Sequence, residues 1–418
     1  MASLVELAGV KSVGQLAASR GVRECLQWLT REKQWINEQH FELCRIPAPT
    51  FLEGKRAEWM ASQLEESGCE VEMDGAGNVI AVPPGARPDA VVALTAHLDT
   101  VLAPRLPEEI TVEPEGKFRG PGVSDNGAGL AALLAIARAL AVSPPIEDLA
   151  TGLLLAANVG EEGEGNLSGM RYLCQHSPLS GKIKAFLVLD GPATDHITCQ
   201  ALESRRYEVS FMGPGGHSWS DYGVGNPVHA LSRLITMFSE QQVNGSVAPG
   251  VRTSFNFGII EGGSSIDSIP AMARAKLDIR SENSRKMDDL VFLLTDSVER
   301  ALEIENERSS GAKLTAKIRE IGVRPGGELH QKASILTFLR AVDSYLGIRA
   351  RLDCASTDAN IPLSMGLPAV SIGAGGQGGG AHTPSEWFQP EGRDLGLKRI
   401  LLTLCLLMRD PELAGTGE

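Results

Sequence analysis

Residues 153–173 read LLLAANVGEEGEGNLSGMRYL, and the fold turns on how this stretch is understood. The opening run, LLLAANV, is apolar almost throughout. It has the length and composition of a strand buried on both faces, as strands in parallel sheets are. It stops at a glycine, and two adjacent glutamates, Glu161 and Glu162, follow at once. Neighbouring carboxylates repel each other and add nothing to a core. Either the loop is simply solvated, or the two acids have separate tasks at the mouth of the strand.

Two other stretches have the same character. VVALTAHLDTV (91–101) and IKAFLVLD (183–190) also read as buried strands, and AGLAALLAIARALAV (128–142) reads as a helix, apolar nearly all round and therefore buried. Apolar residues at helical spacing predict further helices over about 22–43 and 53–67. Buried strands alternating with helices predict an α/β layer fold with a mostly parallel sheet. The texture changes near Ser204. RRYEVSFMG alternates like a strand with one wet face, and a helix is expected over about 226–242. The strand-like RTSFNFGIIEGG and MARAKLDIRS come next, then a helix over about 286–306 and the strand AKLTAKIREIG. That order, β-α-β-β-α-β, is ferredoxin-like. Afterwards the α/β texture returns, with a helix over about 331–346, a strand at LPAVSIG and an apolar helix over about 395–408. The expected organisation is one domain in two segments, 1–203 and 319–418, interrupted by an inserted domain over 204–318.

The totals narrow the class. The chain has 418 residues, 43% hydrophobic and 22% charged, so it can bury a large core as an ordinary globular protein. Its formal net charge of -13 argues against a nucleic-acid partner, which needs a basic face to neutralise phosphates. The seven cysteines are scattered, with no C-x-x-C pair, which points away from a disulfide framework or thiolate metal site and toward a reducing compartment. The first residues, MASLVELAGVKSVGQLAASR, lack the apolar core of a signal peptide, and no run of 18 apolar residues is present for a membrane span. A cytoplasmic protein is the expectation.

The acids and histidines that can carry chemistry cluster where strands run out. His97 and Asp99 close one strand. Asp125 lies in the glycine-rich turn GPGVSDNGAG before the buried helix. Glu161 and Glu162 close the next strand, Asp190 the one after, and His382 follows the glycine-rich stretch GAGGQGGGA (373–381). Open α/β sheets bind ligands outside the carboxyl ends of their strands. Imidazole and carboxylate together suit zinc, and also cobalt or manganese. His97 and Asp99, two apart on an extended chain, point to one face, so the Asp99 carboxylate is placed to orient His97. The number of acids suggests two metals bridged by Asp125, one also held by His97 and Asp190, the other by Glu162 and His382. Each ion then keeps an open position for a shared hydroxide. Of the paired glutamates one ligates and the other is free to move a proton. We assign Glu162 to metal and Glu161 to general base, a choice the residues alone leave open.

In this order the motifs HLDT, GPGVSDNGAG, VGEEGEGNLSG, VLDG, GPGGHS and AHTPSE resemble a family of two-zinc metallopeptidases. The family includes tripeptidase T, carboxypeptidase G, succinyl-diaminopimelate desuccinylase, acetylornithine deacetylase and aminoacylase. The likeness runs from about residue 41 to the end. It implies the same roles for His97, Asp99, Asp125, Glu161, Glu162, Asp190 and His382, a cis peptide bond after Asp125, and an inserted domain that serves as lid and dimerisation domain. It further implies that His217, in GPGGHS, reaches the partner subunit's site and steadies the oxyanion. Arg280 then binds a substrate carboxylate, and Asn256 is a second polar contact. The resulting expectation is a cytoplasmic, homodimeric zinc hydrolase acting on amide bonds of short peptides. The alternatives are an N-acyl-amino-acid deacylase with the same site, and a non-catalytic binding or scaffold protein on the same fold.

Overall fold

The computed structural model describes residues 4–84, 89–243 and 251–414. The chain divides into two compact units, one made of Met1–Ala201 with Gly327–Glu418, the other of Leu202–Gly326.

The first unit is built on a nine-stranded sheet. At its centre Val91–His97 lies between Gly152–Asn158 and Ile183–Leu189, parallel to both, and Ala369–Ile372 continues the parallel set beside Ile183–Leu189. Antiparallel strands flank this set, Val79–Val82 with Glu70–Met73 on one side and His196–Ala201 with Gly327–Glu328 on the other, and Arg351–Ala355 pairs parallel to His196–Ala201. The central strands are apolar throughout because both faces are covered: Leu154, Leu155, Ala156 and Ala157 are all buried. Register then matters. His97 stands opposite Asn158, and Ala96 opposite Leu189. The three strands therefore end at one level, and the residues that follow them emerge along one edge.

The buried helix Gly127–Val142 starts beside that edge. Asn126 caps it, its Oδ1 accepting the Gly129 N–H at 3.2 Å. Glycine is required at 127, since a Cβ there would lie 2.5 Å from the Cys44 Sγ and 2.6 Å from the Gly122 carbonyl oxygen. The helix expected over 22–43 is two helices, Arg20–Arg31 and Lys33–Cys44, meeting at Glu32. Buried Val22, Cys25, Leu29, Ile36, His40 and Leu43 keep one helical spacing across the joint, so periodicity alone does not register the break. The helix Leu4–Ala18, which the sequence reading did not mark, buries Val13, Leu16 and Ala17 in the main core. The glycine-rich stretch is no loose loop either: Gln377–Gly379 pairs antiparallel with Trp387–Gln389.

The second unit is an antiparallel sheet of four strands in the order Thr253–Gly262, Met272–Ser281, Glu203–Met212, Thr315–Arg324. Two helices, Pro227–Val243 and Ser284–Arg308, supply its core through Leu231, Leu234, Phe238, Leu290, Leu294 and Val298. Along Met272–Ser281 the odd-numbered residues from Ala273 to Ile279 are buried and the even-numbered ones are wetter. This is the ferredoxin-like arrangement expected from the order of elements. The unit runs to Gly326 rather than 318 because its last strand keeps pairing as far as Arg324 opposite Ser204. Among the described residues no helix is long and apolar enough to cross a membrane, and none of the seven cysteines is in a disulfide.

Candidate metal centre

His97 is the last residue of the central strand, and its ring is nearly fully buried. Nε2 lies 3.1 Å from Asp125 Oδ1. Nδ1 faces the Asp99 main-chain carbonyl at 3.0 Å and the Asp99 carboxylate at 3.5 Å. Asp99, fully buried, thus lies behind the ring, but the closer contact comes from its backbone. The carboxylate itself grips the glutamate loop: Oδ1 accepts the Glu161 N–H and Oδ2 the Glu162 N–H, each at 2.9 Å, and Thr50 Oγ1 donates to Oδ2 at 2.9 Å. Burial works against the charge, but these donors and His97 outweigh it and hold the Asp99 carboxyl below its ordinary value.

Asp125 faces two ways. Its Oδ1 meets His97, and its Oδ2 lies 3.0 Å from His382 Nε2. The same His382 nitrogen is 2.8 Å from Glu162 Oε1. His382 adopts a left-handed φ of +64°, rare for a residue with a Cβ and found where the surroundings impose it. The peptide bond after Asp125 is cis. Ligand atoms of His97, Asp125 and Glu162 all lie within 4.8 Å of one another. Asp190 is outside that set; it begins the loop after Ile183–Leu189, its N–H donating to Ile372 O at 3.1 Å. Its carboxyl is pushed up to about 7, first by burial and then by the charge of Asp125, with His97 acting the other way and Glu162 adding to the rise. Glu161 is buried, and its charge helps raise His97. Of the adjacent glutamates, Glu162 reaches His382.

The electrostatics test whether a cation fits. Burial alone would lower His97, yet hydrogen bonds to Asp125 and Asp99 carry it well above the usual histidine range. His382 is pushed up to about 10 by its hydrogen bonds to Asp125 and Glu162. Raised imidazoles and a raised carboxyl are signs of the same thing, a strongly negative hollow that traps protons. Each group is also a metal ligand once deprotonated, so a divalent cation suits the hollow better than protons do. The donor set is nitrogen and oxygen only, and it fits.

Residues that sequence reasoning passed over hold these groups in place. Asn126, besides capping the helix, donates from Nδ2 to Leu189 O at 2.8 Å and accepts the Gly191 N–H at 3.3 Å, tying the Asp125 turn to the Asp190 strand. Glu53 accepts the Gly160 N–H at 3.1 Å, just before the paired glutamates. Glu386 accepts N–H groups from Gly122, Ser124 and Asp125. His40 is fully buried with Nε2 2.8 Å from Val123 O. None of these contacts is local in sequence, so no pattern announces them.

His217, Arg280 and Asn256 all belong to the second unit. His217 is exposed at the end of a short strand, Gly216–His217, that pairs with Ser268–Ile269, and its Nδ1 accepts the Trp219 and Ser220 N–H groups at 3.1 and 3.4 Å. Arg280 Nε donates to Asp278 Oδ2 at 2.7 Å, and Asn256 stands opposite Asp278 in the neighbouring strand. Arg206 and Ser204 donate to the same aspartate at 3.1 and 3.0 Å, contacts the sequence reading missed.

The fold joins a mostly parallel sheet, with a group able to hold a metal ion at its carboxyl edge, to an inserted ferredoxin-like unit. Residues 78–211 match the domain model of peptidase family M28, and residues 204–305 match the peptidase dimerisation domain of the M20 group. A cytosol non-specific dipeptidase of Escherichia coli is 27% identical over 68% of this chain, and the chain spans 63% of that protein's length. A succinyl-diaminopimelate desuccinylase of Cereibacter sphaeroides is 24% identical over 74% of this chain and 82% of its own. Among solved structures, a tripeptidase from Staphylococcus aureus superimposes with a TM-score of 0.70 at 18% identity, over 90% of this chain and 99% of that one. A dipeptidase from Saccharomyces cerevisiae has the same TM-score of 0.70 at 14% identity, over 94% and 100% of the two chains. The proteins that this chain is similar to are peptidases and amidohydrolases.

Proposed function

We propose that this protein hydrolyses amide bonds of short peptides with two zinc ions, one held by His97, Asp125 and Asp190, the other by Asp125, Glu162 and His382. Cobalt or manganese would suit the same nitrogen and oxygen donors. The observation that carries the reading is the division of Asp125, whose two carboxylate oxygens each face a different imidazole at 3.1 and 3.0 Å, as a bridging ligand requires. When bound, such a pair of cations supplies an acidified water and polarises the substrate carbonyl.

The chain's own groups do the remaining work. Asp99 holds Glu161 and Glu162 by their backbone N–H groups, so their side chains can diverge. Glu161 takes the proton from the attacking water and returns it to the leaving nitrogen. In a dimer His217 would serve the partner subunit's site, donating to the carbonyl oxygen as charge develops there, a contact worth roughly 10²–10³ in rate. Arg280, anchored on Asp278, receives the substrate carboxylate with Asn256 beside it. The match to a dimerisation domain supports a homodimer formed through the second unit. The free cysteines are in keeping with a cytoplasmic location.

The names of a dipeptidase and a tripeptidase among its relatives support peptides as substrates. Those of a desuccinylase and an acetylornithine deacetylase support a second reading, an N-acyl-amino-acid deacylase with the same site. A panel of di- and tripeptides against N-acyl amino acids separates the two, and turnover confined to the acyl compounds overturns the first. Glu161→Ala is expected to keep its metal content and lose about 10²–10⁴ in kcat. A variant that stayed near full rate would remove Glu161 from the role of base.

A further inference from the structure

Glu386 is 2% exposed, lies outside the proposed ligand set and carries out no proposed step, yet its carboxylate is fully engaged. Oε2 accepts the Gly122 N–H at 2.8 Å; Oε1 accepts those of Ser124 at 2.7 Å and Asp125 at 2.8 Å. The Glu386 main-chain carbonyl accepts the Gly120 N–H at 3.0 Å, and its own N–H donates to Thr383 O at 3.2 Å. The next residue, Trp387, pairs with Arg119. The segment that carries His382 is thereby fastened to the turn that carries Asp125, although Asp125 and Glu386 are 261 residues apart.

Backbone N–H groups turned toward one point form a concavity that attracts anions. Left empty, the one built by Gly122, Ser124 and Asp125 would compete for the nearest free carboxylate, that of Asp125 itself. A second buried carboxylate in that place satisfies the N–H groups and leaves the Asp125 side chain to face His97 and His382. We infer that Glu386 is a positioning residue of the metal centre, which fixes the Asp125 carboxylate in its bridging orientation before a cation arrives and locks it to the His382 segment. The inference rests on the two-cation reading above.

Glutamine at 386 would keep the shape but offer one acceptor oxygen and turn an NH₂ toward at least one backbone N–H. Metal-free wild type and Glu386→Gln are titrated with zinc, with far-UV circular dichroism as the check on folding. Wild type is expected to bind two ions per chain. The variant is expected to stay folded and lose about 10- to 100-fold in zinc affinity, the range for groups that orient ligands. The loss should be larger for the ion that needs both Asp125 and His382. A merely structural role would lower thermal stability and leave the affinity of the folded chain alone, so equal affinities within twofold overturn the inference while the two-cation reading stands. A wild-type chain that binds no zinc overturns both. Hydrogen exchange decides even if the variant does not fold: the Gly122, Ser124 and Asp125 amides should be protected in metal-free wild type. Exchange there at the rate of an open loop overturns the inference.

Discussion

Replacing Asp99 by asparagine tests whether one buried carboxylate organises both the histidine and the paired glutamates. The native group is fully buried and accepts three hydrogen bonds at 2.9 Å, from the Glu161 and Glu162 N–H groups and the Thr50 hydroxyl, with His97 Nδ1 3.5 Å away. Asparagine keeps one acceptor oxygen. If its NH₂ takes the Oδ2 side, the Thr50 hydroxyl can turn to accept, but the Glu162 N–H is left facing a donor. If it takes the Oδ1 side, the Glu161 N–H is left instead. Either way one buried amide N–H goes unpaired, at about 1–3 kcal/mol, and the surviving bonds lose their charge assistance, about 1 kcal/mol more. The expected loss of stability is therefore about 2–4 kcal/mol. The glutamate loop also loosens, which should weaken zinc binding by about 10- to 100-fold. Urea unfolding of the metal-free protein reads the first quantity and zinc titration of the folded protein the second. A variant within about 0.5 kcal/mol of wild type, the range of an ordinary surface change, and within twofold in affinity would refute the reasoning.

His40 gives a pH signature. Burial first, then the positive Arg393 and Arg56, hold it well below the ordinary histidine value, with Nδ1 against Arg393 Nη2 and Nε2 on Val123 O. The folded chain thus keeps His40 neutral where the unfolded chain protonates it. From this group stability should fall as pH drops below about 6.5, by up to about 1.4 kcal/mol per pH unit. His97, His382 and Asp190 in the metal-free chain are raised, so near pH 6.5 they oppose this slope, and the His40 share is read as the difference between wild type and a folded His40→Gln chain. Denaturation midpoints of both chains between pH 5 and 7 check that difference. Arg399, fully buried, makes two 2.6 Å hydrogen bonds to Asp343. Asp343→Asn strands the guanidinium and is expected to cost about 3–5 kcal/mol in chemical denaturation, with zinc affinity per folded chain unchanged.

Much of this molecule is written locally. Runs such as LLLAANV and AGLAALLAIARALAV can only be buried, and their alternation dictates an α/β layer. The change to period-two patterning after Ser204 marks the inserted ferredoxin-like unit. The gathering of His97, Asp125, Glu162 and His382 was also legible, because each stands where an apolar strand ends or beside a glycine-rich turn, and such ends share one edge of a parallel sheet. The joint at Glu32 was not legible, since the buried positions keep one spacing across it.

Tertiary structure alone decided how those donors are held. It set Asp125 between two imidazoles, turned Glu162 toward His382, and placed the Asp99 backbone, more closely than its carboxylate, on the ring of His97. It also recruited Glu386, Asn126, Glu53 and His40. The physical reason is the same for all four. Their partners are backbone groups of turns remote in sequence, and a main-chain N–H or carbonyl is identical at nearly every residue. A side chain's type tells what it can ligate or bury; which distant backbone group it will satisfy is known only once the chain has folded.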